Sequence, residues 1–222
     1  MEQYLPVGVT LLTVISNALG GNIKEISDKY NITITPAGYT FSIWGLIYGL
    51  LVYVTFTNYK QFLHTQTQYG SIFSLFVFSA ILNALWIQAW GKSLELSSVI
   101  LILLAIVLII ITVELNKAGV DKLLIYTFGI YTAWAIVASL INFSTFLVNK
   151  DILDNKTVKL MVVGILTIIP FLLKEVFKDI LGDAIVPMLL TFIWASLGII
   201  LNGKNNIIFV APIATSILNI FL

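Results

Sequence analysis

The chain has 222 residues, of which 59% are hydrophobic and only 10% charged, with a net charge of +1 and a mean hydropathy of +1.01. A soluble domain carries about 25% charged residues, and burying a small core does not require stripping charge from the surface as well, so composition excludes an ordinary soluble domain. All twelve basic residues are Lys, with no patch dense enough for nucleic acid, so no nucleic-acid partner is expected. The absence of Cys removes disulfides, thiolate nucleophiles and Cys-ligated metals.

Charged residues divide the chain into eight long uncharged stretches: Gln3 to Ile23, Tyr30 to Tyr59, Gln61 to Gly91, Leu96 to Val113, Leu123 to Asn149, Leu160 to Leu173, Ala184 to Gly203 and Asn205 to Leu222. A spanning helix needs about 17–25 apolar residues. Seven stretches reach that length. The sixth falls short, although Lys159 and Lys174 are placed to snorkel from its ends. Lipid leaves backbone groups unsatisfied, so such spans should be helices, and runs such as SSVILILLAIVLIIITV lack the period-2 alternation of a membrane barrel. The fold expected is all-α: a polytopic transmembrane helical bundle of eight segments, an integral multi-pass membrane protein in contact with the bilayer.

The opening MEQYLP carries no positive cluster, so residues 1–21 read as a first span rather than a cleaved signal peptide. The lone His64, within NYKQFLHTQTQYG, reads as a surface residue rather than a metal ligand. Further on, KEVFKDILGD sets Val176, Phe177, Ile180 and Leu181 against Lys174, Glu175, Lys178 and Asp179, the spacing of a short interfacial helix. Pro170, Pro187 and Pro212 fall inside C-terminal segments and are expected to kink them. The Lys residues divide too evenly between alternate connections to orient the chain.

Three stripes of aromatic and polar residues stand out. Phe41, Trp44 and Tyr48 fall at i, i+3 and i+7, on one side of a helix. Asn83, Trp86 and Trp90 repeat that spacing. Tyr131, Trp134, Ala138 and Asn142 extend it to i+11. Converging inside a bundle, these stripes would wall an aromatic cavity with a few polar anchors, suited to a flat apolar ligand. Two plainer readings stand beside this one. Trp44, Trp90 and Tyr131 lie near span ends, where aromatic belts gather. Asn83 and Asn142 would serve equally as interhelical glue.

The stretch TPAGYTFSIWGLIYGL, Thr35 to Leu50, resembles the signature of the TspO/tryptophan-rich sensory protein family, which includes the peripheral benzodiazepine receptors. Pro36, Gly38, Tyr39, Phe41, Trp44 and Tyr48 occupy its second-helix positions. LNALWIQAW, Leu82 to Trp90, is similar to the third-helix motif, and YTAWAIVASLIN, Tyr131 to Asn142, to the fifth. The motifs cover roughly residues 1–147. The sequence departs from the pattern at Ala37, which replaces a second Pro, and in a Gly38-to-Trp44 gap one residue shorter. That gap would turn Trp44 by about 100° on a 3.6-residue helix.

The resemblance implies a five-helix membrane domain over 1–147 and a C-terminal membrane extension of two to three helices over 148–222. It implies a receptor or binding protein for a hydrophobic planar ligand, a tetrapyrrole (porphyrin- or haem-type) or a sterol-like lipid. It also implies ligand contacts from Tyr39, Phe41, Trp44, Tyr48, Asn83, Trp86, Trp90, Tyr131, Trp134, Ala138 and Asn142. Trp44 is the counterpart of the second-helix Trp linked to light-dependent porphyrin breakdown. Trp194 lies outside the matched stretch, and its replacement is expected to change ligand affinity little.

No carboxylate pair, Ser-His-Asp set or phosphate loop supports enzyme chemistry. The acidic residues all sit at span ends or in connections, which counts against a proton-coupled carrier. A small transporter or permease, and a structural subunit of a larger membrane assembly or a homodimer, remain the alternatives.

Overall fold

The computed structural model describes residues 2, 4–20, 26, 29–30, 32–203 and 206–221. The expected long connection between the first two spans lies partly outside these residues. Ten helices are described: α1 (Tyr4–Leu19), α2 (Ile43–Thr57), α3 (Tyr59–His64), α4 (Ile72–Trp90), α5 (Leu94–Lys117), α6 (Lys122–Asn149), α7 (Asn155–Glu175), α8 (Lys178–Leu181), α9 (Ile185–Ile200) and α10 (Val210–Phe221). A 3-10 turn, Gly38–Ser42, leads directly into α2. The only strands among the described residues form a small antiparallel hairpin, pairing Gln66 with Ser71 and Thr67 with Gly70.

Helix starts follow local chemistry. Ser71, Ser93, Asp121 and Asp154 each accept a backbone N–H from the first turn of α4, α5, α6 and α7, satisfying donors that have no partner within the helix. Six helical segments are long and apolar enough to cross a membrane. Large apolar side chains such as Leu12, Phe56, Ile168 and Leu190 are exposed on the outside of the bundle. In water that surface would be a liability, whereas in lipid it is the solvent-facing surface. The chain is an integral, multi-pass, all-α membrane protein.

α1 packs on α2 and α4, α4 on α5, α5 on α6, and α6 on α2, closing a ring of five. The α5–α6 seam is pinned by hydroxyls: Thr112 and Thr132 share a bond of 2.8 Å, Thr132 donates to the Leu108 carbonyl, and Ser139 to the Leu101 carbonyl. α9 packs against α6 outside the ring, α10 against α9, and α7 against α10. Gly129 of α6 allows this approach, because a Cβ there would stand 2.9 Å from the Ala184 carbonyl at the start of α9.

The sixth stretch extends past Lys159 and Lys174, as their placement allows, into a 21-residue helix, α7. Two expectations are revised. The terminal helices are the short ones, with 16 residues in α1 and 12 in α10, or roughly 24 and 18 Å against a hydrocarbon core of about 30 Å. Of the three prolines only Pro170 is inside a helix. Pro187 and Pro212 sit in the first turns of α9 and α10, where the missing N–H has no helical partner to lose. The interfacial segment is a single turn, α8, joined to α9 through Gly182–Ala184.

Candidate functional site

α2, α4 and α6 bring their stripes together at the end of the ring nearest the α1–α2 connection. Trp44 lies at the centre. It stacks on Trp86 at 5.6 Å and on Tyr48 at 5.4 Å, and meets Trp134 edge-on at 6.3 Å. Trp86 stacks in turn on Trp90, and Phe41 meets Trp134 edge-on. The residues before Trp44 form a 3-10 turn, which rotates about 120° per residue in place of about 100°, and Trp44 lies buried, facing the cavity.

Of the expected contact residues, Phe41, Trp44, Trp86, Trp90, Trp134, Ala138 and Asn142 line one cavity. Trp44, Trp86, Trp90 and Trp134 are all buried, which sets them apart from a lipid-facing belt. Tyr30, Thr35 and Pro36 from the lead-in to α2, and Ile141 and Thr145 from α6, complete the wall. Ile141 and Thr145 fall at i+7 and i+11 from Trp134, so extending the third stripe would have found them.

The other four lie off the cavity. Tyr39 is half exposed and packs edge-on against Trp194 at 5.8 Å. Asn83 is fully buried beneath the aromatic layer. There its Oδ1 accepts from Asn17 Nδ2 at 2.6 Å and from the Tyr48 hydroxyl at 3.3 Å, while its Nδ2 donates to the Tyr131 hydroxyl at 2.5 Å. Asn17 also donates to the Thr13 carbonyl. Four helices are thus tied by one buried network, which is the glue reading for Asn83, Tyr48 and Tyr131. Asn17 has no aromatic stripe to mark it, but Thr10, Thr13 and Asn17 fall at i, i+3 and i+7 on the buried face of α1, a polar stripe that spacing alone could have found.

The cavity itself leaves polar groups open. The indole N–H groups of Trp86 and Trp134 are buried and have no partner among the described residues. Buried donors are nearly always paired, so two in one cavity call for an explanation. Asn142 is held from behind by the hydroxyls of Ser97 and Ser98 of α5, at 2.9 and 2.7 Å. That contact engages one end of its carboxamide and leaves the other for the cavity. The free space is about 40 Å³, room for two or three waters at most, against the roughly 300–1,000 Å³ of ligand pockets. The aromatic side chains fill the remainder.

Trp194 lies outside the cavity, and its Nε1 donates to the Thr40 carbonyl at 3.0 Å, so α9 touches the lead-in to α2.

A polytopic helical bundle with a tryptophan-walled cavity at one end of a five-helix ring defines the class of protein. The chain belongs to the TSPO-like protein family, whose pattern matches residues 4–222. The match therefore continues through α7, α9 and α10, past the stretch that carries the motifs. No curated protein and no solved structure matches the chain.

Proposed function

We propose that the chain is a membrane receptor for a planar hydrophobic molecule bearing a hydrogen-bond acceptor, of tetrapyrrole or sterol-like type. The observation that carries this reading is the pair of unpartnered indole N–H groups, Trp86 and Trp134, in one aromatic cavity. A buried donor without a partner costs about 1–3 kcal/mol, and an acceptor oxygen on a ligand would recover that loss. The stacked faces of Trp44, Trp86 and Trp90 favour a flat ring system. Asn142, fixed by Ser97 and Ser98, supplies a positioned polar anchor.

At about 40 Å³ the cavity is closed to such a ligand, so binding requires the lead-in to α2 or the indoles to move. Titration of the protein in nanodiscs with protoporphyrin IX, read by Trp fluorescence, tests the proposal. Saturable quenching is expected. Quenching that rises linearly with porphyrin in the lipid, equal to that of a control membrane protein, would end the reading.

A further inference from the structure

Residues 33–41 form one side of the cavity, through Thr35, Pro36 and Phe41. Among the described residues, segment 33–40 makes no hydrogen bond to α1, α4, α5 or α6. Apart from local bonds to its chain neighbours Ile32 and Ile43, its polar partners among the described residues come from the last three spans and the connection between them. Asn202 Nδ2 donates to the Thr35 carbonyl at 2.8 Å, and Asn206 Nδ2 to the Thr33 carbonyl at 2.8 Å. The Ala37 N–H donates to the Gly198 carbonyl at 2.9 Å, and Trp194 Nε1 to the Thr40 carbonyl. At the start of α7, Asn155 Oδ1 accepts from both the N–H and the hydroxyl of Thr33, each at 3.0 Å. The seat is also shaped to fit. A Cβ on Gly198 would overlap the Thr40 hydroxyl, so only glycine lets the segment lie this close to α9.

We propose that the last three spans are a latch: through Asn155, Trp194, Gly198, Asn202 and Asn206 they hold segment 33–40 shut over the aromatic cavity and set how readily it opens. The five-helix ring supplies the cavity walls, and the remaining spans govern access to them. The latch rests on the receptor reading for its purpose but not for its existence, because a lid held by bonds to one sub-bundle is a mechanical property of the chain. Opening breaks several modest hydrogen bonds, each worth roughly fivefold in the open population.

The chain has no Cys, so one thiol placed at Ala138, in the cavity wall, reports access without any ligand. The rate of labelling of Ala138→Cys by a membrane-impermeant maleimide is measured in nanodiscs, alone and combined with Asn202→Ala, Trp194→Phe or Gly198→Ala. The first two each remove one bond to the lid, and the third wedges the lid off α9. Each is expected to raise the labelling rate roughly fivefold and to speed amide exchange of residues 33–42, with exchange in α4–α6 unchanged. Unchanged labelling in all three variants overturns the latch and points to access between helices from the bilayer. Faster exchange throughout α4–α6 also overturns it, leaving the last spans a purely structural role. A chain that labels faster in the variants but shows no saturable porphyrin quenching keeps the latch and loses the receptor reading.

Discussion

In the tier nearest the α1–α2 connection, Trp86 and Trp134 keep buried N–H groups without partners, whereas one turn deeper Asn83 and Tyr131 bond to each other and Asn83 also to Asn17 and Tyr48. The same two helices, α4 and α6, supply both tiers, each upper-tier tryptophan standing three positions after its lower-tier counterpart on the same stripe. The difference lies in what the neighbouring helices offer. α1 and α2 present Asn17 and Tyr48 to the lower tier, and its polar atoms are satisfied. To the upper tier α2 and the 3-10 turn before it present Trp44 and Phe41, which give the indoles ring contact and no acceptor. A satisfied buried network makes a helix junction, and the unpaired donors of the upper tier are the groups that the proposed ligand would complete. Chemical identity alone does not separate the two, but the partner of each polar atom does.

The comparison is broken most strongly in the upper tier. Replacing Trp44 or Trp134 with Ala removes a large aromatic wall. A buried aromatic anchor typically costs about 2 kcal/mol or more on truncation, so porphyrin affinity should fall roughly 30-fold or more. Titration of folded variants in nanodiscs reads this directly. Parent-like affinity in both variants would mean that the upper tier is ordinary packing. Stability is checked in parallel, since Trp→Ala in a core costs about 3–5 kcal/mol.

The lower tier should respond the other way. Asn83→Ala strands the Tyr131 and Tyr48 hydroxyls and removes one of the two bonds of Asn17; an unpaired buried group costs about 1–3 kcal/mol. The effect should appear as a lower thermal midpoint in detergent, with porphyrin affinity of the folded fraction unchanged within about twofold. A variant of parent stability that loses binding would move Asn83 from the junction to the site and collapse the distinction between the tiers.

Much of this was legible in the sequence, and for a physical reason. A helix repeats its faces every 3.6 residues, so Phe41 with Trp44, Trp86 with Trp90, and Trp134 with Ala138 and Asn142 announce shared faces from spacing alone, and four of the five tryptophans fall in the cavity. The charge-free stretches likewise mark the spans. What spacing does not carry is the partner on another helix. Asn83 and Asn142 each sit on an aromatic stripe, and only Asn17 and Ser97 with Ser98, brought in by the fold, give one a junction role and leave the other at the cavity. Trp194 reaches Thr40 across 154 positions of chain, a pairing that no local pattern contains. The uncharged sixth stretch stops at Lys159 and Lys174, but a helix end can carry such residues with their charges reaching the interface, and α7 runs past both.

The smallest expected effect concerns the far end of the lid's attachment, where α7 begins. Asp154 caps α7 by accepting from the Thr157 N–H at 2.8 Å, and the next residue, Asn155, holds Thr33. The Thr157 backbone bond, and then its hydroxyl, favour the charged carboxylate and lower the Asp154 pKa below its ordinary value. A folded-state pKa below the unfolded one means that this cap stabilises the protein above the unfolded value, about 3.9, and that its contribution is lost as pH falls through the folded value. The parent should therefore lose a small increment of thermal stability as pH drops from about 5 to about 3. Asp154→Ser keeps an N-cap acceptor with no charge to titrate, so its stability should fall less over that window. The difference between the two melting curves, taken at each pH, isolates Asp154 from the other carboxylates. Because the group is solvent-exposed the difference should be slight, and it should be accompanied by faster exchange at residues 33–35 in the parent only. Parallel curves for parent and variant across the window would mean that the Asp154 charge does not contribute to holding α7, and that Asn155 keeps its grip on the lid without it.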